Sequence, residues 1–298
     1  MIERLESCTL CPYHCKVNRL KGQKGRCGCD DTLKIALASL HYYEEPCISG
    51  ENGSGTVFFS NCNLKCIFCQ NYEISSKGKG KEITVKHLAE IFLKQQEKGA
   101  ENINLVTPTM YVYQIVEALN LAKKNGLRIP VVYNTNGYET VDTIQLLDGY
   151  VDIYLPDLKY YSNEIALKYS HAANYFEVAT KAILEMQKQV GKNKFDDRGM
   201  MAKGLIIRHL VLPNHIQNSK HVLKWIKENL PSDVYVSVMA QYFPTYLAKE
   251  DSFINRKLTQ REYREIENYL YTLGLENGYI QELGEHEEEY VPKFDLRE

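Results

Sequence analysis

Three cysteines without a fourth beside them are the residues of this sequence that most directly suggest chemistry. Cys62, Cys66 and Cys69 lie in SNCNLKCIFCQN with the spacing C-x3-C-x2-C. Thiolates are soft ligands that suit iron–sulfur clusters, zinc and copper(I), and closed structural metal sites normally take four protein ligands. A cluster of four irons needs one ligand per iron, so three cysteines leave one iron open. The motif therefore predicts a cluster whose open position binds a substrate or cosubstrate.

A second group of cysteines precedes this motif. All nine cysteines of the 298-residue chain lie before residue 70. Cytosolic thiols are kept reduced, so metal or redox use is a better explanation of this clustering than a disulfide framework. A closed zinc site and an auxiliary iron–sulfur cluster fit four thiolates equally well. The predicted ligands of this second metal centre are Cys8, Cys11, Cys15 and Cys27, with Cys29 as a spare.

The elements that would position these residues follow from the hydrophobic pattern. Six apolar segments, each followed by a helical pattern, predict parallel strands joined by right-handed crossovers. They cover residues 56–60, 103–108, 129–137, 151–159, 204–213 and 234–242. A doubly wound sheet and a barrel are both compatible with this order. We expect a cysteine-rich, metal-binding segment over residues 1–55, and a core with a C-terminal helix and a solvated tail over residues 56–298.

Polar side chains follow most of these strands, at the end where parallel α/β folds place their chemistry. The candidate residues at these strand ends are Thr107, Thr109, Asn134, Thr135, Asn136, Asp157 and Lys159. Arg208 and His209 lie in the middle of a strand, so alternation points them to opposite faces. We expect Arg208 to face the interior of a barrel, where it binds a ligand or forms a structural ion pair.

Bulk composition narrows the classes of partner. The formal net charge is -2, so no sequence-wide basic field predicts nucleic-acid binding. No apolar run approaches the roughly 20 residues of a membrane span, and the first residues lack the apolar core of a secretory signal. We expect a cytoplasmic protein that binds neither nucleic acid nor a membrane.

The ordered motifs together resemble one family. CNLKCIFCQN has an aromatic residue, Phe68, just before its last cysteine, and NLVTPT, VVYNTNGYE, DIYLPDLKY and IIRHLVLP follow in order. This combination, over residues 8 to 245, resembles the radical S-adenosylmethionine (radical SAM) superfamily, and within it the subfamily similar to pyruvate formate-lyase-activating enzymes.

The resemblance implies an α/β fold, a partial (β/α)6 TIM-type barrel. It implies a 4Fe-4S cluster held by the three cysteines of the first motif, with S-adenosyl-L-methionine (SAM) chelating the fourth iron. One electron, from a donor such as flavodoxin or ferredoxin, would cleave SAM, and the 5′-deoxyadenosyl radical would abstract a hydrogen atom. The substrate would be a glycyl-radical protein or a small molecule.

The resemblance also implies roles for individual residues. The backbone beside Phe68 would lie near adenine, and the turn Asn134-Thr135-Asn136 would reach the ribose or carboxylate. Asp157 and Lys159 would hold the charged ends of SAM. The family's G-G-E stretch reads VTPT here, so Thr107 and Thr109 offer hydroxyls but no carboxylate. Another acid, such as Asp157, or water must then hold the SAM ammonium.

Two readings from other classes remain open. Cys8-x2-Cys11 and Cys66-x2-Cys69 could form a zinc ribbon in an interaction module. The near-neutral charge and the polar strand ends argue against the nucleic-acid partner expected of such a module. A plain electron-transfer iron–sulfur protein is the second, but it would need four ligands for each cluster.

Overall fold

A ten-stranded sheet runs through the computed structural model, which describes residues 2–284 and 292–295. All six predicted strands are present. In chain order the strands are β1 (Lys34–His41), β2 (Ser54–Phe59), β3 (Lys81–Glu82), β4 (Ile103–Val106), β5 (Val131–Thr135), β6 (Ile153–Pro156), β7 (Lys194–Phe195), β8 (Met201–Leu210), β9 (Tyr235–Met239) and β10 (Gly278–Ile280).

The strand order shows a barrel rather than a doubly wound sheet. Neighbouring strands follow the order β10-β9-β8-β6-β5-β4-β2-β1-β3, with β7 paired to β8. From β2 to β10 along this path every pairing is parallel, and the strands follow one another in chain order. A doubly wound sheet would reverse direction at a switch point. The sheet does not close on itself, which confirms the predicted partial barrel.

Helices follow the strands on the outer face. Their bounds are α1 (Pro46–Ser49), α2 (Tyr72–Ser75), α3 (Val85–Glu97), α4 (Val112–Lys124), α5 (Val141–Gln145), α6 (Asn163–Ser170), α7 (Tyr175–Val190), α8 (Ile216–Asn229) and α9 (Gln260–Thr272). Short 3-10 turns cover Ile2–Ser7, Arg19–Lys21, Thr109–Tyr111 and Tyr246–Glu250. The sequence signal for α9 is confirmed, because Thr259 and Glu262 form a capping box at its first turn.

Strand alternation divides the core into an outer layer and a barrel interior. On β5, Val131 and Tyr133 join the large cluster under the helices, whereas Val132 points inward. Val132 packs there with Ile153, Ile206 and other apolar side chains. These residues fill the amino-terminal part of the barrel, and within the described part of the chain the barrel cavity lies towards the carboxyl ends of the strands.

The N-terminal segment is more closely joined to the barrel than the sequence predicts. Strand β1 pairs antiparallel with β2, from Ile35 opposite Phe59 to His41 opposite Ser54. The predicted boundary at residues 55 and 56 falls inside β2. Strand β1 covers one edge of β2, which would otherwise present unpaired backbone groups. The cysteine-rich surroundings of KIALASLH concealed this strand in the sequence.

The C-terminal segment also differs from a solvated tail where the structure describes it. Residues 285–291 lie outside the described residues. Phe294 is buried, and its ring packs edge-on against Phe58 with 5.4 Å between centroids. Among the described helices, none combines the length and apolarity that crossing a membrane requires.

Candidate cluster site

A cavity of about 220 Å³ lies at the carboxyl ends of the parallel strands. The three cysteines of the C-x3-C-x2-C motif line it. Eight further candidate residues from the sequence line the same cavity: Phe68, Thr107, Asn134, Thr135, Asn136, Asp157, Lys159 and Arg208. Residues more than 140 positions apart along the chain therefore meet at one site.

The cysteine loop follows β2 and is anchored by two helices. Asn61 adopts a left-handed conformation with φ 69°, which asparagine tolerates better than most residues. Its backbone N–H donates to the carbonyl of Ile74 in α2 at 2.8 Å. The N–H of Ile67 donates to the carbonyl of Tyr169 in α6 at 2.9 Å. The loop is thus held in place by backbone contacts before any ligand is considered.

Cys62 is buried and Cys66 and Cys69 are half-buried, and burial raises the pKa of each thiol. The pKa of Cys62 rises to about 12 and that of Cys66 to about 11, while that of Cys69 rises for the same reason. A metal ligand must be a thiolate, so metal binding here has to release protons. At neutral pH these thiols are therefore protonated and unreactive as nucleophiles until a metal ion such as iron displaces the proton.

The donor set fits a three-cysteine cluster. Within residues 2–284 and 292–295, no three His, Cys, Asp or Glu side chains converge on a point where one metal ion could sit. A cluster attaches each cysteine to a different iron, so its ligands need not converge in that way. The three thiols instead line one shared cavity.

An ion pair lies beside the cysteines. The Lys159 ammonium is 2.5 Å from the Asp157 carboxylate. Burial would lower the pKa of Lys159, but attraction to Asp157 and to the sulfurs of Cys66 and Cys69 raises it overall. Lys159 therefore carries positive charge close to two cysteine sulfurs.

The turn after β5 presses against the end of β6. Gly137 has φ 78°, and a Cβ there would lie 2.2 Å from the backbone oxygen of Asp157, so only glycine fits. The Tyr175 hydroxyl donates to the carbonyls of Asn136 and Asp157, at 2.8 and 3.0 Å. These contacts fix the spacing between the asparagine turn and the Asp157–Lys159 pair.

The two threonines of VTPT have different environments. Thr107 lines the cavity with φ 58°, a conformation that β-branched residues rarely adopt. Thr109 is fully buried and is not part of the lining. Its hydroxyl donates to the Glu139 carboxylate at 2.6 Å. Thr109 therefore does not offer its hydroxyl to the cavity, where the resemblance had placed it beside SAM. The left-handed turn at Thr107 redirects the chain and sends Thr109 inward.

Glu139 is a buried acid to which sequence reasoning assigned no role. Its Oε1 accepts hydrogen bonds from Thr109, from Thr135 at 2.5 Å and from Tyr133 at 3.3 Å. Its Oε2 finds no hydrogen-bond partner among the described residues. Burial raises the pKa of Glu139 to about 7 although the three hydroxyls oppose the shift. The sequence did carry one signal that could have identified Glu139 as a site residue, namely its place in NTNGYE just after a polar strand end.

Arg208 faces the cavity, and two acids that sequence reasoning left without a role neutralise it. Its guanidinium lies 3.1 Å from Glu44 and 3.1 Å from Glu45. Glu44 lines the cavity and also accepts from the amide of Asn134 at 3.3 Å. His209 is buried on the other face, as alternation predicts, and contacts Ser219 at 2.8 Å.

The N-terminal cysteines lie apart from the cavity lining. Burial raises the pKa of Cys11, and the nearby Cys27 and Cys15 add to the effect. A hydrogen bond with Cys29 lowers the pKa of Cys27 to about 6. Cys8 packs separately, in a small apolar cluster with Leu5 and other side chains. A second metal centre at these residues stays a prediction.

Comparisons with known proteins agree with this geometry. Residues 56–195 match the radical SAM superfamily. The chain is 36% identical over 275 residues to uncharacterized protein MJ0674 of Methanocaldococcus jannaschii, covering 89% of this chain and 73% of that protein.

Solved structures share the fold. SuiB of Streptococcus suis bound to S-adenosylmethionine matches with a TM-score of 0.50 and 15% identity, covering 78% of this chain and 50% of SuiB. The FeFe-hydrogenase maturase HydG of Carboxydothermus hydrogenoformans matches with a TM-score of 0.50 and 13% identity, covering 80% of this chain and 56% of HydG. The chain spans about half the length of these structures. These solved structures show that the chain shares their fold, and residues 56–195 with their three-cysteine motif form a radical SAM superfamily domain.

Proposed function

We propose that this protein cleaves SAM reductively at a 4Fe-4S cluster held by Cys62, Cys66 and Cys69. The observation that carries the proposal is that these three thiols and the polar strand ends line one cavity. A cluster bound by these cysteines would supply the electron, received from a flavodoxin- or ferredoxin-type donor, for reductive cleavage of SAM to methionine and a 5′-deoxyadenosyl radical, which would abstract a hydrogen atom from the substrate.

The chain's own residues would bind and orient the cosubstrate. The Lys159 ammonium would pair with the carboxylate of SAM, and the Asp157 carboxylate with its ammonium, in exchange for the ion pair that the two residues now form with each other. The amide of Asn134 would offer a donor and an acceptor for the ribose, whereas both amide hydrogens of Asn136 are already donated to Cys62 and Asn63. Arg208 would contribute indirectly, because its charge is already matched by two glutamates. Burial of the site excludes water and other stray hydrogen donors.

The proposed substrate is a glycine residue of a partner enzyme, by resemblance to the pyruvate formate-lyase-activating enzymes. A small molecule is the second candidate, and one observation favours it. The buried Glu44–Arg208 pair lies in the cavity wall, and Pro292 from the C-terminal segment also lines the cavity. The cavity volume of about 220 Å³ also suits a small molecule.

A cysteine substitution tests the cleavage step. Cys66→Ala should abolish formation of 5′-deoxyadenosine and methionine by anaerobically reconstituted, chemically reduced protein. Cys47→Ala is the matched control, because Cys47 is also buried but packs in the amino-terminal part of the barrel. If Cys66→Ala retained normal cleavage while Cys47→Ala behaved identically, the ligand assignment would be wrong.

Two further measurements separate the competing functions. A zinc-binding module would stay colourless after iron reconstitution, and an electron-transfer protein would show a cluster spectrum that does not respond to SAM. Transfer of deuterium into 5′-deoxyadenosine, from a labelled glycine-containing protein or from a labelled small molecule, identifies the hydrogen donor.

A further inference from the structure

Each sulfur of the three-cysteine motif lies within hydrogen-bond distance of a polar side chain from a different part of the fold. These side chains come from the end of α6, the end of α2 and the turn after β5. The three pairs are Ser170 Oγ with Cys66 Sγ at 2.9 Å, Ser75 Oγ with Cys69 Sγ at 3.1 Å, and Asn136 Nδ2 with Cys62 Sγ at 3.3 Å.

The direction of the Ser170 hydrogen bond follows from its neighbours. Ser170 and Tyr160 are both fully buried, and their hydroxyl oxygens are 2.6 Å apart. Each hydroxyl has one hydrogen to donate. If Tyr160 donates to Ser170, and Ser170 donates to Cys66, both hydrogens are used. A ligand thiolate has no hydrogen of its own, so this relay is the arrangement that satisfies all three groups.

The Asn136 side chain is oriented by the backbone. The N–H of Tyr138 can only donate, and it lies 2.9 Å from Asn136 Oδ1. The amide nitrogen therefore faces Cys62, and its second hydrogen reaches Asn63 Oδ1 at 2.7 Å. Asn63 is held in turn by its own donation to the Tyr138 carbonyl at 2.7 Å.

Ser75 has a simpler environment. It ends α2, the helix whose Ile74 carbonyl anchors the cysteine loop. The side chain is buried, so solvent does not compete strongly for its hydroxyl. Once Cys69 is a thiolate ligand, the hydroxyl of Ser75 is the only one of the two groups that can donate.

We propose that Ser170, Ser75 and Asn136 are positioning residues that set the reduction potential of the cluster, an inference that rests on the proposed function. Hydrogen bonds to cluster sulfurs are one of the ways in which proteins tune such potentials. Reduction adds negative charge that the ligand sulfurs share, and a donated hydrogen stabilises that charge. The three side chains therefore make the one-electron reduction easier.

The Ser170 contact should matter most. It is the shortest of the three, and its buried surroundings strengthen an electrostatic contact. Asn136 divides its donors between a sulfur and another asparagine, so its contribution should be smaller.

Ser170→Ala and Ser75→Ala test the proposal in the anaerobically reconstituted full chain. The readout is an equilibrium redox titration of the cluster followed by electron paramagnetic resonance. We expect the ratio of reduced to oxidised cluster at a fixed potential to fall about tenfold in Ser170→Ala, which is about 59 mV for a one-electron couple. Ser170→Thr keeps the hydroxyl and should restore the potential.

Ser54→Ala is the matched control. Ser54 is fully buried, but its hydroxyl contacts Asn102 at 2.6 Å, at the amino end of β2 and at the opposite end of that strand from the three-cysteine motif. The reduction potential of the cluster in Ser54→Ala should equal that in the wild-type protein. If Ser170→Ala fails to fold, Ser75→Ala measures the same effect with a smaller shift in the same direction.

The outcomes separate this inference from the proposed function. An unchanged potential in both serine variants, with iron content and SAM cleavage retained, overturns the inference and leaves the proposed function standing. A wild-type protein that binds no three-cysteine cluster overturns both.

Discussion

Glu139 is a buried carboxyl group whose ionisation the structure opposes, and its replacement by glutamine gives a quantitative test of the site's electrostatics. Burial raises the pKa of this carboxyl from 4.5 to about 7. Because the folded-state pKa lies above the unfolded one, the stability that Glu139 contributes is fully present below about pH 4.5 and is lost as the pH rises through 7. At about 1.4 kcal/mol per pKa unit, this loss amounts to about 3 kcal/mol.

Glutamine carries no charge at any pH and keeps an oxygen for the three hydroxyls. Differences in hydrogen bonding between glutamate and glutamine change the free energy of unfolding by an amount that does not depend on pH. The pH dependence of the difference between the two proteins therefore reports the ionisation of the Glu139 carboxyl group. We expect the free energy of unfolding of Glu139→Gln, relative to wild type, to increase by about 3 kcal/mol between about pH 5 and pH 8.

The measurement is anaerobic urea unfolding followed by circular dichroism across that pH range. Glu97→Gln, at an exposed position of α3, should show no comparable trend. A difference between Glu139→Gln and wild type that stays level from acid to alkaline pH would show that Glu139 titrates normally, and the reasoning from burial would fail.

Three other predictions concern the ion pair of Arg208 in the cavity wall, the N-terminal cap of α9 and the N-terminal cysteines. Arg208→Met leaves two buried carboxylates unpaired and should lower the free energy of unfolding by about 3–5 kcal/mol. Adding Glu45→Gln should recover part of this loss. A loss too small to resolve in urea unfolding would contradict the ion-pair account. Thr259→Ala removes the cap of α9 and should cost about 1 kcal/mol by the same assay, whereas Thr259→Ser should be close to neutral; equal stability of all three proteins would argue against the capping box. Cys11→Ala should reduce the yield of folded protein and its metal content, and a fully stable variant with unchanged metal would count against a second metal centre.

Local spacing was enough to predict the main features of the fold. The period of apolar residues located six of the seven parallel strands, because burial of a strand or a helix face leaves its mark within a few neighbouring positions. The same holds for the cysteine motif, whose three cysteines lie within eight residues. Strand β1 was missed because its apolar run lies in a segment dominated by turn formers and cysteines.

The partners of the site residues were beyond the reach of the sequence. Glu44 contacts Arg208, and Ser170 contacts Cys66, across more than a hundred positions, and nothing in the local pattern of either residue marks the pairing. Thr109 was expected beside the cofactor, but a left-handed turn at Thr107 directs it to Glu139 instead.

The sequence by itself determined where six of the seven parallel strands form, that three cysteines share one short motif, and which strand ends carry polar groups. The tertiary structure alone decided which of those groups face the cavity, which acids neutralise the buried arginine and which hydroxyls reach the sulfurs. The physical reason is that element formation depends on neighbours along the chain, whereas the electrostatics of a buried site depend on side chains brought within a few ångströms by strand pairing.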